Sequence, residues 1–554
     1  MKRIAFLGAF AIAIGISSPC GAYITEDEIR PAVTKSVHLL LASSAKWSST
    51  QGCPSCHHQD LPMMVFNLAR RRGLPVSPHA LQAIVVKSLT SLGDLRDPDQ
   101  LLQGSAFLDP VTGMAGRLIA ARSLGLRANL SAAIVARLIA RSQRADGHWM
   151  AGDDIRPPQS FSAVTNTARA LRVLQIFLPK SMAKEQKARV GRARQWLART
   201  LPQDTEERVS QMMGLRWAGG SPSLIERCRA KLLSEQRSDG GWAQTATRAS
   251  DAYATGEVLA ALNQAGGLTT LNSACQRGLR YLLNTQKDDG TWFVNSRLHP
   301  PGTVSPPYFE TGLPYGHDQF ISAMGTSWAT AALLLAMPAS GVAPEPVDAS
   351  GAAPANFPAW AETALFGSLK ELQNLVDSGW DVNAATAGGT TALMMAAPDV
   401  EKVSLLLQNG ADPNTTSLTR YTALMIAASH HATDSARLLL SHGADARSSD
   451  GHPAQFGATP LMLSVFSGDV EAMQALSAKG ALAKTTMLPG GIFPVTPLSV
   501  AVMRGDLPMI EAPLKTGVPV DEMAAPEGGV TSLGWAVFKN DPRLAALLLS
   551  KAPM

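Results

Sequence analysis

Hydrophobic positions follow a helical period through the first part of the chain. From about residue 27 to residue 337, apolar side chains recur every three or four positions in segments separated by short turns rich in Gly, Pro and Asp. Alternation with a period of two, typical of strands, is almost absent. The pattern predicts an all-α region, with helices that include residues 114–124, 131–141, 166–177, 224–234 and 328–337.

A different period begins after residues 338–358, which are rich in Pro, Ala and Gly and are predicted to form a semi-extended linker. Thr-Ala-Leu, Thr-Pro-Leu or Thr-Ser-Leu triplets then recur every 31 to 37 residues, at 391, 422, 459, 496 and 531. Leucine triplets at 405–407 and 438–440 precede Gly410-Ala-Asp and Gly443-Ala-Asp. We expect each Thr to cap a first helix, and Gly410 and Gly443 to end the second.

These units resemble ankyrin repeats, whose period is about 33 residues. The resemblance implies six units over residues 359–554, the first of them weak, with a surface that docks a protein partner. Pro508 and Pro513 fall in the second helix expected for the fifth unit and make that unit irregular.

A second signature, Gln-x-x-x-Gly-x-Trp, recurs three times in the first part. It begins at Gln143, Gln236 and Gln286, after a helical run in each case. The Gly is expected to supply a left-handed turn, the Trp to cover that turn, and the Gln amide to bridge to a neighbouring backbone.

This signature resembles the repeat of the squalene-hopene cyclase and prenyltransferase superfamily over residues 60–337. The resemblance implies that residues 23–337 form an α/α toroid, an inner ring of helices inside an outer ring, with a cavity for a small apolar ligand. The D-x-D-D acid motif of the cyclases is missing, and only 15 Phe, 6 Tyr and 10 Trp are present to shelter a cation. Cyclase activity is therefore disfavoured.

The motif with the most specific chemistry is Cys53-Pro-Ser-Cys56-His57, a C-x-x-C-H sequence typical of covalent attachment of haem c. Two thiols at this spacing can add to the haem vinyl groups, and His57 is then the proximal iron ligand. The alternatives are a disulfide or a zinc site, to which His58 or a distant His would contribute. Candidates for the distal ligand are Met63, Met64, His79, Met114, His148, Met150, His299 and His317.

Two further groups are weaker candidates for a catalytic site. Residues 307–320 mix aromatic and ionisable side chains, including Glu310 and His317, and either rim the cavity or form a packed closing loop. Asp251, Tyr253 and Glu257 fall at a predicted helix start and face the cavity, or else Asp251 is simply a helix cap.

The N-terminal sequence indicates that the protein is exported. Residues 1–22 combine two early basic residues, an uncharged apolar stretch and small residues before Tyr23, as in a signal peptide, which places the protein in the periplasm. No later segment is expected to span a membrane. The 49 basic and 44 acidic residues are interspersed, which gives nucleic-acid binding little support. Cys228 and Cys275 are interpreted as buried thiols, with a disulfide between them as the alternative.

Three functions agree with these features. The first is a periplasmic redox or haem-sensing component that docks a protein through its ankyrin surface. The second is an enzyme acting on a hydrophobic or glycan-like substrate in the toroid cavity. The third is a non-enzymatic scaffold in which the Cys and His residues form a structural site.

Overall fold

The fold is predominantly helical. The computed structural model describes residues 23–50, 56–90, 97–104, 111–150, 162–297, 312–341, 347, 357–450, 457–481, 486–487, 494–515, 520, 531–538 and 541–550. Residues 1–22, predicted to form a signal peptide, lie outside these residues.

Thirteen α-helices form the described portion of the first part. They are α1 (Glu26–Thr50), α2 (Leu61–Arg71), α3 (Pro78–Thr90), α4 (Pro98–Gly104), α5 (Gly116–Ser123), α6 (Leu130–Arg141), α7 (Ala163–Phe177), α8 (Ala183–Arg199), α9 (Thr205–Trp217), α10 (Pro222–Ser234), α11 (Ala252–Gln264), α12 (Ser273–Thr285) and α13 (Gln319–Ala336). Single π-helical turns, Cys56–Asp60 and Val111–Ala115, lead into α2 and α5, and 3-10 turns cover Lys180–Met182 and Gly316–Asp318.

Six of these helices contact one another in a cyclic order. Helix α2 packs on α5, α5 on α7, α7 on α9, α9 on α11, and α11 on α13, and α13 returns to pack on α2. The remaining helices lie against this series: α1 contacts α13 and α2, α3 contacts α2 and α5, α8 contacts α7 and α9, and α12 contacts α11 and α13.

The Gln-x-x-x-Gly-x-Trp repeats form the same turn three times, as predicted. Gly147, Gly240 and Gly290 have φ values of 109°, 88° and 91°. Each Trp ring is buried, and its indole N–H donates to a carbonyl of the preceding helix, as Trp242 Nε1 does to Leu232 O at 2.7 Å. Each Gln amide closes its own turn, as Gln236 Nε2 does with Gly240 O at 2.8 Å.

The same amides join successive peripheral helices. Gln143 Nε2 donates to Arg189 O in α8 at 2.9 Å, and Gln236 Nε2 donates to Ala274 O in α12 at 2.7 Å. No such motif follows α8. There, Gln211 of α9 donates to Leu197 O and Thr200 O at 2.7 Å each, so a different side chain covers that helix end.

Six helix pairs follow the first part: α14 (Ala359–Phe366) and α15 (Leu369–Asp377), α16 (Ala392–Ala396) and α17 (Val400–Gln408), α18 (Ala423–Ser429) and α19 (Thr433–Ser441), α20 (Pro460–Ser467) and α21 (Val470–Ala478), α22 (Pro497–Arg504) and α23 (Leu507–Lys515), and α24 (Ser532–Phe538) and α25 (Pro542–Leu549). Two short antiparallel strands of two residues each, β1 (Thr486–Met487) and β2 (Pro494–Val495), lie before α22. Pro508 and Pro513 lie within α23, which forms despite them.

The predicted capping of these units is confirmed. Thr391, Thr422, Thr459 and Thr496 each accept a hydrogen bond from a backbone N–H in the first turn of the helix that follows. Gly410 and Gly443 adopt φ values of 86° and 85° after α17 and α19. Successive units are joined by Asn383, which donates to Gly410 O and accepts from Asp412 N, and by Asn414, which makes the equivalent contacts one unit later.

The helix pairs pack directly on the first part. Thr386 Oγ1 donates to Asp99 Oδ1 at 2.6 Å, and Gln103 Nε2 donates to Gly388 O at 3.0 Å, so α4 contacts the turn before α16. At the far end, Arg144 Nη2 pairs with Asp506 Oδ2 at 3.1 Å. Buried residues of the first part and of the helix pairs as far as α21 belong to one hydrophobic core, and those of α22 to α25 form a second cluster with part of α20 and α21.

The expectation that no later segment resembles a membrane span was wrong. Residues Gly316–Ala336, among those described, are long and apolar enough by composition, with a mean hydropathy of 1.2. Within the fold, 83% of that window is buried. Packing of α13 between α11, α1 and α2 accounts for its apolar composition.

Candidate functional site

The last two residues of the C-x-x-C-H sequence begin a helical turn that leads into α2. Cys56 and His57 lie in the turn Cys56–Asp60, and their side chains are outside the described residues, as is Cys53. The next residue, His58, is 1% exposed. This turn packs on α1, α2, α3, α5 and α13.

His58 is part of the core. Its ring stacks on Trp47 with centroids 5.1 Å apart, and it meets the edge of Phe320 at 6.0 Å. Its Nδ1 lies 3.1 Å from Ser43 Oγ, and Ser44 Oγ donates to the His58 carbonyl. The His58 ring is therefore packed between Trp47 and Phe320 in the core, with its Nδ1 atom engaged by Ser43.

A buried carboxyl group follows in the same turn. Asp60 Oδ1 accepts from Ser88 Oγ at 3.2 Å and lies 3.8 Å from Arg117 Nε. Burial raises the pKa of Asp60, and the nearby Arg117 opposes that shift. Met63 is fully buried, and Met64 is half-buried, as expected for core-facing residues at the start of α2.

The other predicted distal ligands are scattered. Met114 is buried and accepts from Arg117 Nη1 at 3.3 Å, beneath the same turn as Asp60. His148 is bound elsewhere: its Nδ1 contacts Asp146 Oδ1 at 2.6 Å, its Nε2 contacts Met150 Sδ at 3.2 Å, and its ring stacks on Trp196. His299 is outside the described residues.

The weak catalytic candidates Glu310 and His317 are only partly described. Glu310 lies outside the described residues, and His317 is exposed in the 3-10 turn before α13. This segment reaches the C-x-x-C-H region through Phe320, which contacts both Trp47 and His58. The first turn of α13 and the turn Cys56–Asp60 therefore lie together against α1.

A second cluster forms where α9 and α11 meet. Tyr253 Oη donates to Glu206 Oε2 at 2.8 Å, and Arg169 Nη2 lies 3.7 Å from Glu206 Oε1. Glu257, one turn after Tyr253, is 3% exposed and hydrogen-bonds to Glu206. Its Oε2 atom is buried without a hydrogen-bond partner.

The Glu257 carboxyl group is buried beside that of Glu206, which disfavours its ionisation. Burial raises the pKa of Glu257 well above its usual value of 4.5, and the negative charge of Glu206 raises it further. Arg169 and the Tyr253 hydroxyl contact the Glu206 carboxyl group. The arrangement therefore places Glu257, whose raised pKa favours its protonated form, beside a second carboxyl group, as acid-base sites do.

Asp251 is not a member of this pair. Its Oδ1 caps α11 by accepting from Ala254 N at 2.9 Å, and Oδ2 accepts from Gln244 Nε2 at 3.0 Å. The helix-cap alternative is confirmed. Sequence reasoning identified Tyr253 and Glu257 but missed Glu206, although its position three residues before the buried Val209 places it on the inward face of α9.

Among the described residues, no three His, Cys, Asp or Glu side chains group as a metal site. The side chains of Cys53, Cys56 and His57 lie outside the described residues. Cys228 and Cys275 are both free thiols, and Cys275 is buried as expected, whereas Cys228 is only half-buried.

Comparison with known proteins gives a family match within the series of helix pairs. The family model "Ankyrin repeats" matches residues 397–487 with three copies. The crystal structure of the human ASB11 ankyrin repeat domain is 25% identical, with a TM-score of 0.31, and the match covers 36% of this chain and 85% of that chain. No curated protein matches this chain. Residues 397–487 therefore contain three ankyrin repeats, within the series of helix pairs from α14 to α25.

Proposed function

We propose that the protein is a periplasmic haem c protein whose ankyrin repeats dock a protein partner. Cys53 and Cys56 hold the haem covalently and His57 is the proximal ligand. A haem held in this way supplies a one-electron iron couple whose potential depends on the second axial ligand. The protein is then a redox or haem-sensing component, and ankyrin repeats commonly provide the surface for a partner.

The observation that carries this proposal is the burial of His58. A C-x-x-C-H site needs the imidazole next to the second Cys to be available, and the second imidazole in this sequence is held by Trp47, Ser43 and Phe320. The donor set of two thiols and one His thus fits haem c better than a zinc site, which would need a fourth ligand close by.

A matched pair of variants tests the assignment. In the exported protein, His57→Ala should change the axial ligation seen in the visible spectrum and shift the potential. His58→Phe, which keeps an aromatic ring against Trp47, should leave both unchanged. An effect of His58→Phe alone would contradict the assignment of His57.

We also propose that the helices α1 to α13 form an α/α toroid. The cyclic contacts of α2, α5, α7, α9, α11 and α13 support this arrangement, as does the repeated Gln-x-x-x-Gly-x-Trp turn between peripheral helices. The α14–α25 array covers one side of it through Asp99, Gln103 and Arg144.

A second candidate function, an enzyme with general acid-base chemistry, is favoured by the Glu206–Glu257 pair. Glu257 would donate a proton to a hydrophobic or glycan-like substrate, and Glu206 would accept one, with Tyr253 and Arg169 holding Glu206 in place. Turnover of such substrates that is lost in Glu257→Gln and retained in the surface variant Glu226→Gln supports this candidate. Equal turnover in both variants contradicts it.

A further inference from the structure

Three cationic side chains meet where the first part packs on the ankyrin array. Arg137 and Arg141 lie one turn apart on α6, and Lys402 lies on α17. Arg137 reaches across the interface: its Nη1 donates to Met395 O at 3.3 Å, and its guanidinium carbon lies 5.9 Å from the centre of the Phe366 ring. The cluster therefore draws on both parts of the chain.

These cations are poorly solvated and close enough to repel one another. Arg137 and Lys402 are each 3% exposed. Burial, and then the charges of Arg137 and Arg141, lower the pKa of Lys402 to about 8. Burial followed by the charge of Arg141 lowers the pKa of Arg137 to about 10.

The cluster retains unused donors. The Nε atoms of Arg137 and Arg141 are both buried without a hydrogen-bond partner. The Lys402 ammonium donates to Ala364 O at 3.1 Å, which uses one of its three protons. Buried guanidinium N–H groups without acceptors are costly, because they lose water and gain nothing in exchange.

Nearby carboxylates offset part of this charge, since Glu185 and Asp399 both oppose the lowering of the Arg137 pKa, and each carboxylate also has another partner. Glu185 pairs with Arg189 at 2.7 Å. Asp399 caps α17 by accepting from the Lys402 backbone N–H at 3.4 Å. Glu371 is exposed and closes the cap of α15 with Ser368. The remaining ionisable neighbour, His430, is held neutral because burial, and then Arg137 and Arg141, lower its pKa to about 3.

We propose that Arg137, Arg141 and Lys402 form a binding site for a small oxyanion of the phosphate type at the interface between the first part and the ankyrin array. The planar guanidinium groups present paired donors that match phosphate oxygens, and the ammonium adds a third charge. An anion here relieves the repulsion among the three cations and supplies acceptors for their free N–H groups.

Such an anion bridges the two parts, since α6 and α17 both contribute donors. Its binding should stabilise the packing of the ankyrin array on the first part, because a ligand that binds only the folded interface raises stability in proportion to its occupancy. This site is distinct from the C-x-x-C-H sequence and does not depend on haem.

The test is a titration of the full-length mature protein with inorganic phosphate, followed by thermal unfolding and by calorimetry, with sodium chloride at matched ionic strength as the reference. We expect phosphate to raise the unfolding midpoint more than chloride and to bind at one site. Sulfate in place of phosphate tests whether any tetrahedral oxyanion suffices. Phosphate monoesters, compared with free phosphate, show whether the site admits a larger ligand.

Two variants identify the residues. Arg141→Gln and Lys402→Met should each weaken phosphate binding by about tenfold or more, since each removes a charged hydrogen bond. Arg437→Gln, a matched change on the exposed face of α19, should leave it unchanged. Equal effects of phosphate and chloride on the unmodified protein would overturn the proposal, and so would unchanged phosphate affinity in both site variants.

Discussion

Gln286 and Ala32 are 254 residues apart in sequence, yet the Gln286 amide donates to the Ala32 carbonyl at 3.0 Å. Gln286 belongs to the third repeat turn, after α12, and Ala32 lies in the first half of α1. In the first two repeat turns, the equivalent Gln contacts a later helix. The third contacts the first helix of the chain, so the same device joins the two ends of the first part.

Removing this contact should loosen the first part. We expect Gln286→Ala to lower the free energy of unfolding by about 1–3 kcal/mol, since a partly buried bridging amide is lost and carbonyls are left unpaired. Gln373→Ala, which removes only an exposed hydrogen bond to Asp377 within α15, should cost about 0.5 kcal/mol or less. Urea denaturation checks both, and equal losses in the two variants would show that the bridge contributes nothing.

The glycines of the repeat turns lie close to a neighbouring helix, which leaves no space for a side chain. Gly219 also has a positive φ but has open space around it, so it serves as the comparison. A methyl group added at Gly240, where φ is 88°, would lie 2.6 Å from Arg277 O in α12. At Gly219, where φ is 69°, it would meet nothing within 4 Å. Both alanine variants carry the strain of positive φ, about 1 kcal/mol.

Only Gly240→Ala also pushes a turn away from a helix. We therefore expect it to destabilise the protein by at least about 1 kcal/mol more than Gly219→Ala does. Thermal unfolding of both variants measures the difference. Equal midpoints would mean that α12 moves aside freely.

The Glu206–Glu257 pair predicts a pH dependence of stability. The pKa of Glu257 is raised in the folded protein above its ordinary value of 4.5, because of burial and then Glu206. Its contribution is complete below that value, where both states hold the proton. It declines as the pH rises toward the folded-state pKa, because only the unfolded chain then releases the proton.

Glu257→Gln keeps a neutral side chain at every pH and should remove that decline, which is at most about 1.4 kcal/mol per pH unit. Urea denaturation between about pH 5 and about pH 8 measures it. The surface variant Glu226→Gln should keep the slope of the unmodified protein. An unchanged slope in Glu257→Gln would contradict the raised pKa of Glu257.

The contact between Arg144 and Asp506 gives a fourth prediction. Both side chains are partly buried, and they join the first repeat turn to the fifth helix pair at 3.1 Å. In a double-mutant cycle with Arg144→Ala and Asp506→Ala, we expect a coupling of about 0.5–2 kcal/mol that weakens with salt. Additive effects would show that this ion pair does not stabilise the packing of the helix pairs on the first part.

Turns and helix caps could be predicted from the sequence, but contacts between residues far apart in the chain could not. The Gly240 turn and the Thr391 cap depend on neighbouring residues, so the spacing alone indicated them. Glu206 resembled an ordinary acidic residue at a helix start, because its pairing with Glu257 depends on the contact of α9 with α11. Likewise, Arg137 and Lys402 interact only because the two parts of the chain pack together, which the sequence does not indicate.

We propose that haem is covalently attached to Cys53 and Cys56. The most direct test of this proposal is the absorption spectrum of protein exported in a host with c-type haem maturation, reduced in alkaline pyridine, beside the Cys53→Ala/Cys56→Ala variant. We expect a c-type haem spectrum in the unmodified protein and none in the variant. A folded protein without that spectrum, in a host shown to mature another c-type protein, would contradict it.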